Sequence, residues 1–179
     1  MKDGFIKVAA GTPNVQVADC EFNAAEIIKM VREMEAEGAR VMVFPELCIT
    51  AYTCGDLFWQ ENLLEEAKVQ LMRIAEETAD VDAIIFVGLP LEYKGKLYNV
   101  AAALNHGRIV GFVPKTHIPN YNEFYEKRWF SSGAEVTEDM AELLGEPVPV
   151  LPRAVFRVGG TLLGVEICED LWSALPPST

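Results

Sequence analysis

Three apolar runs in this chain each end on a single side chain suited to nucleophilic chemistry. Val41-Met42-Val43-Phe44-Pro45 delivers Glu46, and Ile109-Val110-Gly111-Phe112-Val113-Pro114 delivers Lys115. Leu162 to Ile167 read as a buried strand that delivers Cys168 into the charged turn Cys168-Glu169-Asp170. A carboxylate, an amine and a thiol at three strand exits suit acyl transfer through a thioester. A free thiol has a pKa of about 8.5 and is mostly protonated at neutral pH, so a base must take its proton during attack. Glu46 is the candidate base. Glu169 and Asp170, beside the thiol, disfavour the thiolate. Lys115 is the cation to counter them, and with the backbone N–H after Cys168 it could hold the oxyanion of a tetrahedral intermediate. Each residue also has a plainer reading. Cys168 could be a packed thiol, and Glu46 and Lys115 strand-end surface charges. Cys20, Cys48 and Cys54 read as inert core, and a Cys168–His117 dyad has no evident partner to orient the imidazole.

The elements that must position these groups fall into two parts. Phe5 to Ala10 read as a first strand ended by Gly11-Thr12-Pro13, and Asp19 to Asn23 offer helix caps. Ala24, Ile27, Ile28, Val31 and Met34 follow at helical spacing up to Gly38. Val41 to Phe44 form a second strand. Leu63, Leu64, Ala67, Leu71, Ile74 and Ala75 mark a second amphipathic helix, and Ala83 to Leu89 a third strand. This βαβαβ opening predicts helices covering a sheet with buried strands. Leu91 to Tyr93, Leu97 to Leu104 and Ile109 to Val113 then read as strands joined by Lys94-Gly95-Lys96 and Asn105-His106-Gly107-Arg108, tight turns that predict antiparallel pairing. Thr116 to Ser132 are aperiodic and aromatic, the character of a loop that covers a site or packs over a core edge. Ala134 to Pro152, acidic and proline-containing, read as a surface excursion, and Ala154–Val158 with Thr161–Ile167 as a hairpin around Gly159-Gly160.

Composition narrows the function. The 179 residues, half of them hydrophobic, suit one α/β domain over residues 1–179. With 15 Lys plus Arg against 27 Asp plus Glu, the net charge of −12 argues against nucleic acid or an anionic membrane as partner. No apolar run reaches the length of a membrane span, and Met1-Lys2-Asp3-Gly4 opens no signal peptide. Four cysteines without C-x-x-C spacing read as reduced thiols of a cytoplasmic protein, and two histidines leave little basis for a metal site.

At Phe44-Pro45-Glu46-Leu47 with Tyr52 following, at Pro114-Lys115-Thr116-His117-Ile118-Pro119, and at Gly164-Val165-Glu166-Ile167-Cys168-Glu169-Asp170-Leu171-Trp172, the chain resembles the nitrilase (carbon–nitrogen hydrolase) superfamily. That resemblance implies an α-β-β-α sandwich with a mixed sheet and a Glu46, Lys115, Cys168 triad. The run Asn120 to Phe130, together with Cys168 to Trp172 and the trailing Pro176-Pro177-Ser178, is similar to the glutaminase domain of glutamine-dependent NAD synthetases. It implies glutamine as substrate, with ammonia passing to a synthetase domain that uses ATP and magnesium to amidate nicotinic acid adenine dinucleotide. No cofactor is implied for the glutaminase domain itself. By the same resemblance Glu123 is a second, supporting glutamate, Tyr52, Tyr121 and Glu169 contact substrate, and subunits associate as homo-oligomers. A chain stopping soon after the cysteine motif implies a domain incomplete at its C-terminus. Two other readings stay open: an amidase of the superfamily acting on an aliphatic amide or carbamoyl compound, and a non-catalytic fragment acting only in assembly.

Overall fold

The computed structural model describes residues 4–137, 139–177 and 179; residues 1–3, and Ser178 of the trailing motif, lie outside the described residues. Two short strands and the start of a long third, all parallel, begin the sheet. β1 (Val8–Ala10) pairs with β2 (Val41–Val43), and β2 with the first residues of β3 (Ile84–Tyr93). β4 (Lys96–Asn105) then runs antiparallel to β3, and β5 (Arg108–Pro114) antiparallel to β4, as the two turn sequences predict. Both turns need left-handed backbone, supplied at Lys94-Gly95 and His106-Gly107. β3 continues unbroken through Pro90 to Tyr93, where two strands were expected. Pro90 is tolerated because β2 pairs with β3 only as far as Phe86, which leaves that edge needing no donor. The first strand is shorter than its sequence suggests, and Phe5 is exposed.

Helices α1 (Cys20–Ala36) and α2 (Glu61–Glu77) cover one face of this sheet. Asp19 caps α1 by accepting from the Phe22 N–H at 3.0 Å, and Gly38 ends it in left-handed geometry. Alternation along β3 sorts the two faces. Ile85, Val87, Leu89 and Leu91 join the helical core, whereas Ile84 and Phe86 join a smaller cluster on the opposite face with Val41, Ala103, Val113 and Phe156.

Two expectations need correction. Residues 134–152 are not a surface excursion: β6 (Asp139–Leu143) and β7 (Glu146–Val150) form a hairpin that extends the sheet to seven strands, ordered β1-β2-β3-β4-β5-β7-β6. Pro147 and Pro149 hide the strand. They alternate with the buried Val148 and Val150, so their missing N–H groups fall on one edge, and β7 pairs with β5, in parallel, at Phe112–Val150. Nor is the run into Cys168 a buried strand of the main sheet. β8 (Val155–Val158) and β9 (Thr161–Gly164) do close as the expected hairpin, but as a separate two-stranded sheet resting on the second face through Phe156 and Leu163. Pairing only with β8, β9 leaves Leu162 exposed, and the strand ends at Gly164.

Candidate active site

Glu46 follows β2 in a turn whose next residue, Leu47, takes a positive φ of 53°. This turn lies against β3 so closely that a Cβ on Gly88 would sit 2.4 Å from the Leu47 nitrogen and 2.7 Å from the Pro45 oxygen. Only glycine lets the turn approach. Lys115 follows β5, and its N–H extends the ladder to the Asn99 carbonyl of β4 at 2.8 Å. A Cβ on Gly133 would meet the Lys115 carbonyl at 2.8 Å, so the returning chain braces this exit as closely as Gly88 braces the other.

The two exits converge. Lys115 Nζ, fully buried, lies 2.6 Å from Glu46 Oε1 and 2.9 and 2.8 Å from the two carboxylate oxygens of Glu126. Asn99 Nδ2 donates to the same Glu46 oxygen at 2.5 Å, and the Tyr52 hydroxyl donates to Glu126 Oε1 at 2.8 Å. Glu126 is held in place by its own short 3₁₀ turn, Glu126–Arg128. Phe130 beyond it packs edge-on against Phe58 at 5.0 Å, and Asp56 accepts from both Arg128 and the Trp129 indole. The aromatic loop thus covers a site and packs over the core edge at once.

Sequence reading missed three groups. The second glutamate beside Lys115 is Glu126; Glu123 is exposed, on the far side of the turn that buries Glu126 three residues later. Asn99 had a signal, a lone amide in an otherwise apolar strand. Asp170 is buried and turned to backbone N–H groups, not to the thiol. Tyr52 is a partner of Glu126, whereas Tyr121 donates to Glu169 at 2.7 Å beside another cavity of about 710 Å³.

Cys168 stands at the start of a short helix, α3 (Glu169–Trp172), with φ 50° and ψ −101°. Such a backbone costs about 1–3 kcal/mol in a non-glycine residue and persists only where its surroundings hold it. It is the only exposed cysteine; Cys20, Cys48 and Cys54 are buried. With Glu46 it lines a cavity of about 530 Å³ walled by Gly88, Val100, Leu163 and Val165.

Electrostatics fit a thiol that is neutral at rest. Burial raises the Cys168 pKa and Glu46 and Glu126 raise it further, against a lowering by Lys115 and by the Glu169 N–H. The carboxylates responsible are therefore those across the site, not the adjacent pair expected from sequence. Burial by itself would lower Lys115, but Glu46 and Glu126 more than offset it and hold the ammonium above its usual value. Burial likewise raises Glu126 despite its bonds from Lys115 and Tyr52. One ammonium between two carboxylates leaves a net negative charge facing the thiol. Among the described residues no group of His, Cys, Asp and Glu has metal-binding geometry, and no helix is long and apolar enough to cross a membrane.

A family model described as carbon-nitrogen hydrolase matches residues 7–176. The chain belongs to the carbon-nitrogen hydrolase family. Hydrolysis of amide-type C–N bonds is the activity of that family, and the large mixed sheet with its helices is the nitrilase-like fold. This hydrolase chain is 35% identical over 177 residues to a glutamine-dependent NAD(+) synthetase of Mycobacterium leprae, a match covering 98% of the chain and 26% of the relative. A solved glutamine-dependent NAD(+) synthetase from Cytophaga hutchinsonii superposes with a TM-score of 0.84 at 28% identity, over 92% of this chain and 28% of that one. An amidase from Nesterenkonia shares the fold, with a TM-score of 0.71 at 19% identity, over 93% and 59% of the two chains. The chain spans about a quarter of the length of the curated relatives it matches.

Proposed function

We propose that this chain is the glutamine-hydrolysing part of a glutamine-dependent NAD synthetase, with Cys168 as nucleophile. The observation that carries this reading is the buried Glu46–Lys115–Glu126 cluster opening, at Glu46, onto the same cavity as the exposed, strained thiol. Glu46 takes the Cys168 proton as Sγ bonds to the side-chain amide carbon of glutamine. The C–N bond of the tetrahedral intermediate then breaks, the proton returns to nitrogen, and ammonia leaves behind a glutamyl thioester. Water deprotonated by Glu46 attacks that thioester, releasing glutamate and restoring the thiol.

The geometry refines two roles. Asn99 fixes one oxygen of Glu46, which leaves the other to serve as base. Lys115 contacts three carboxylate oxygens, so it stabilises the oxyanion through nearby charge, and the hydrogen bond to the oxyanion comes from backbone such as the Glu169 N–H. Tyr121 orients Glu169, whose carboxylate suits the α-ammonium of an amino-acid substrate and favours glutamine over a neutral aliphatic amide. The ammonia would pass to a synthetase unit of the kind the relatives' names describe. Ammonia release from glutamine, compared with release from a panel of aliphatic and carbamoyl amides, tests the assignment. Turnover of glutamine lost in Cys168→Ala supports it; preference for a neutral amide, or activity persisting in that variant, refutes it.

A further inference from the structure

Nucleophile and charge cluster stand on different units. Lys115 leaves the seven-stranded sheet, whereas Cys168 follows the separate β8–β9 hairpin. One side chain joins the two exits. Asp170 is 2% exposed. Its Oδ1 accepts from the N–H groups of Thr116 at 3.1 Å and His117 at 2.7 Å, directly after Lys115. Its Oδ2 accepts from the Ile167 N–H at 3.2 Å, directly before Cys168, and more distantly from Thr116 at 3.3 Å.

We propose that Asp170 is a positioning residue: its carboxylate clamps the lysine exit to the cysteine exit and so sets Cys168 against Glu46. The proposal rests on the reading of Cys168 as the nucleophile. The hydrogen bonds to both carboxylate oxygens come from backbone donors, so the clamp requires an acceptor at each oxygen. An amide cannot supply that. Whichever way the side-chain amide of the Asp170→Asn variant turned, its NH₂ would oppose either the Thr116–His117 pair or Ile167, and one half of the bridge would open. The strained backbone of Cys168 would then lose one of its holds, beside the Leu171 N–H bond to the Cys168 carbonyl. A displacement of about 1 Å at a reacting atom is enough to slow chemistry about 100-fold.

The test is the rate of alkylation of each cysteine by iodoacetamide across pH, read by peptide mass spectrometry in the full chain and in Asp170→Asn. The groups facing the thiol are Glu46, Lys115, Glu126, Tyr52 and Tyr121, and the titratable side chain beside Asp170 is His117. Near neutral pH the variant should alkylate Cys168 about 10–100-fold more slowly, because the loss of proton transfer to Glu46 outweighs the lower thiol pKa that distance from its carboxylate brings, while Cys20, Cys48 and Cys54 stay unlabelled. Above the thiol's own pKa, where no base is needed, the two rates should converge. A neutral-pH rate equal to wild type overturns the clamp; a rate depressed equally at every pH also does so, since that marks blocked access.

Should the buried cysteines label in Asp170→Asn, the variant has unfolded, and the unaltered chain decides. Its Thr116, His117 and Ile167 amide NMR signals should move together in one acid titration step as Asp170 is protonated, and an Ile167 signal that does not follow the other two overturns the proposal. Glu46→Gln separates the two readings. If Cys168 reactivity is unchanged in Glu46→Gln, the role of Glu46 as base falls, and the clamp is then judged on whether the Thr116, His117 and Ile167 amide signals move together in the unaltered chain.

Discussion

The lysine side and the cysteine side of this site are built on opposite terms. Lys115 is wholly buried, its charge is met by two carboxylates, and it grows from a long strand in the middle of a seven-stranded sheet. Cys168 is exposed, sits in strained backbone, and follows a two-stranded hairpin that touches the sheet through a few apolar residues. The difference teaches where each kind of precision comes from. A fixed electrostatic field is most readily held deep in the main fold, where side chains cannot reorient. The proposed nucleophile needs access, and on this reading access is combined with precision by local bonding instead of burial.

Breaking the buried side should therefore cost the most. Lys115→Met keeps the volume but leaves Glu46 and Glu126 unpaired, and should lower unfolding free energy by about 3–5 kcal/mol in urea titration. The corresponding loss on the thiol side, Cys168→Ala, should stay within about 0.5 kcal/mol. Equal effects would erase the contrast.

The same contrast explains what could be read from the sequence. Glu46 and Lys115 were legible because each is the first functional group after an apolar run, and Cys168 because its thiol ends a mostly apolar run at a charged turn. Glu126 was not, because it shares an aperiodic loop with Glu123, and the choice between them is made by tertiary packing of Phe130 on Phe58 and by the Asp56–Arg128 pair. Asp170 was read as a charge near the thiol, since nothing in sequence says which way a carboxylate turns. The hairpin of β6 and β7 was lost to its prolines, and β9 was read as buried because an apolar run does not reveal that it pairs with β8 alone among the described strands.

Alkaline pH should separate the cysteines by environment. Burial pushes Cys20 and Cys48 up to about 12, from an ordinary value of 9.0. The folded state thus keeps protons that the unfolded chain releases. The stability they contribute is fully present below about pH 9 and declines as pH rises toward 12. Unfolding free energies from urea titration at pH 8 to 11 should fall, by an amount on the order of a few kcal/mol in total, and the fall should shrink in Cys48→Ala compared with its own value at pH 8.

Smaller effects sharpen the picture. Gly88→Ala should cost about 1–3 kcal/mol and displace Glu46, seen as slower hydrolysis of the proposed substrate, glutamine, together with a lower melting temperature. Cys168→Gly should raise unfolding free energy by up to about 1 kcal/mol, because glycine adopts φ 50° without the penalty cysteine bears. A drop of similar size would mean that the thiol contributes more contact than its exposure implies.

The most direct measurement is covalent labelling of the whole chain with a glutamine-mimicking electrophile, mapped by peptide mass spectrometry. A single adduct on Cys168, suppressed by excess glutamine and lost in Glu46→Ala, is the predicted result. Labelling spread evenly over Cys20, Cys48, Cys54 and Cys168, or unaffected by glutamine, would contradict the account.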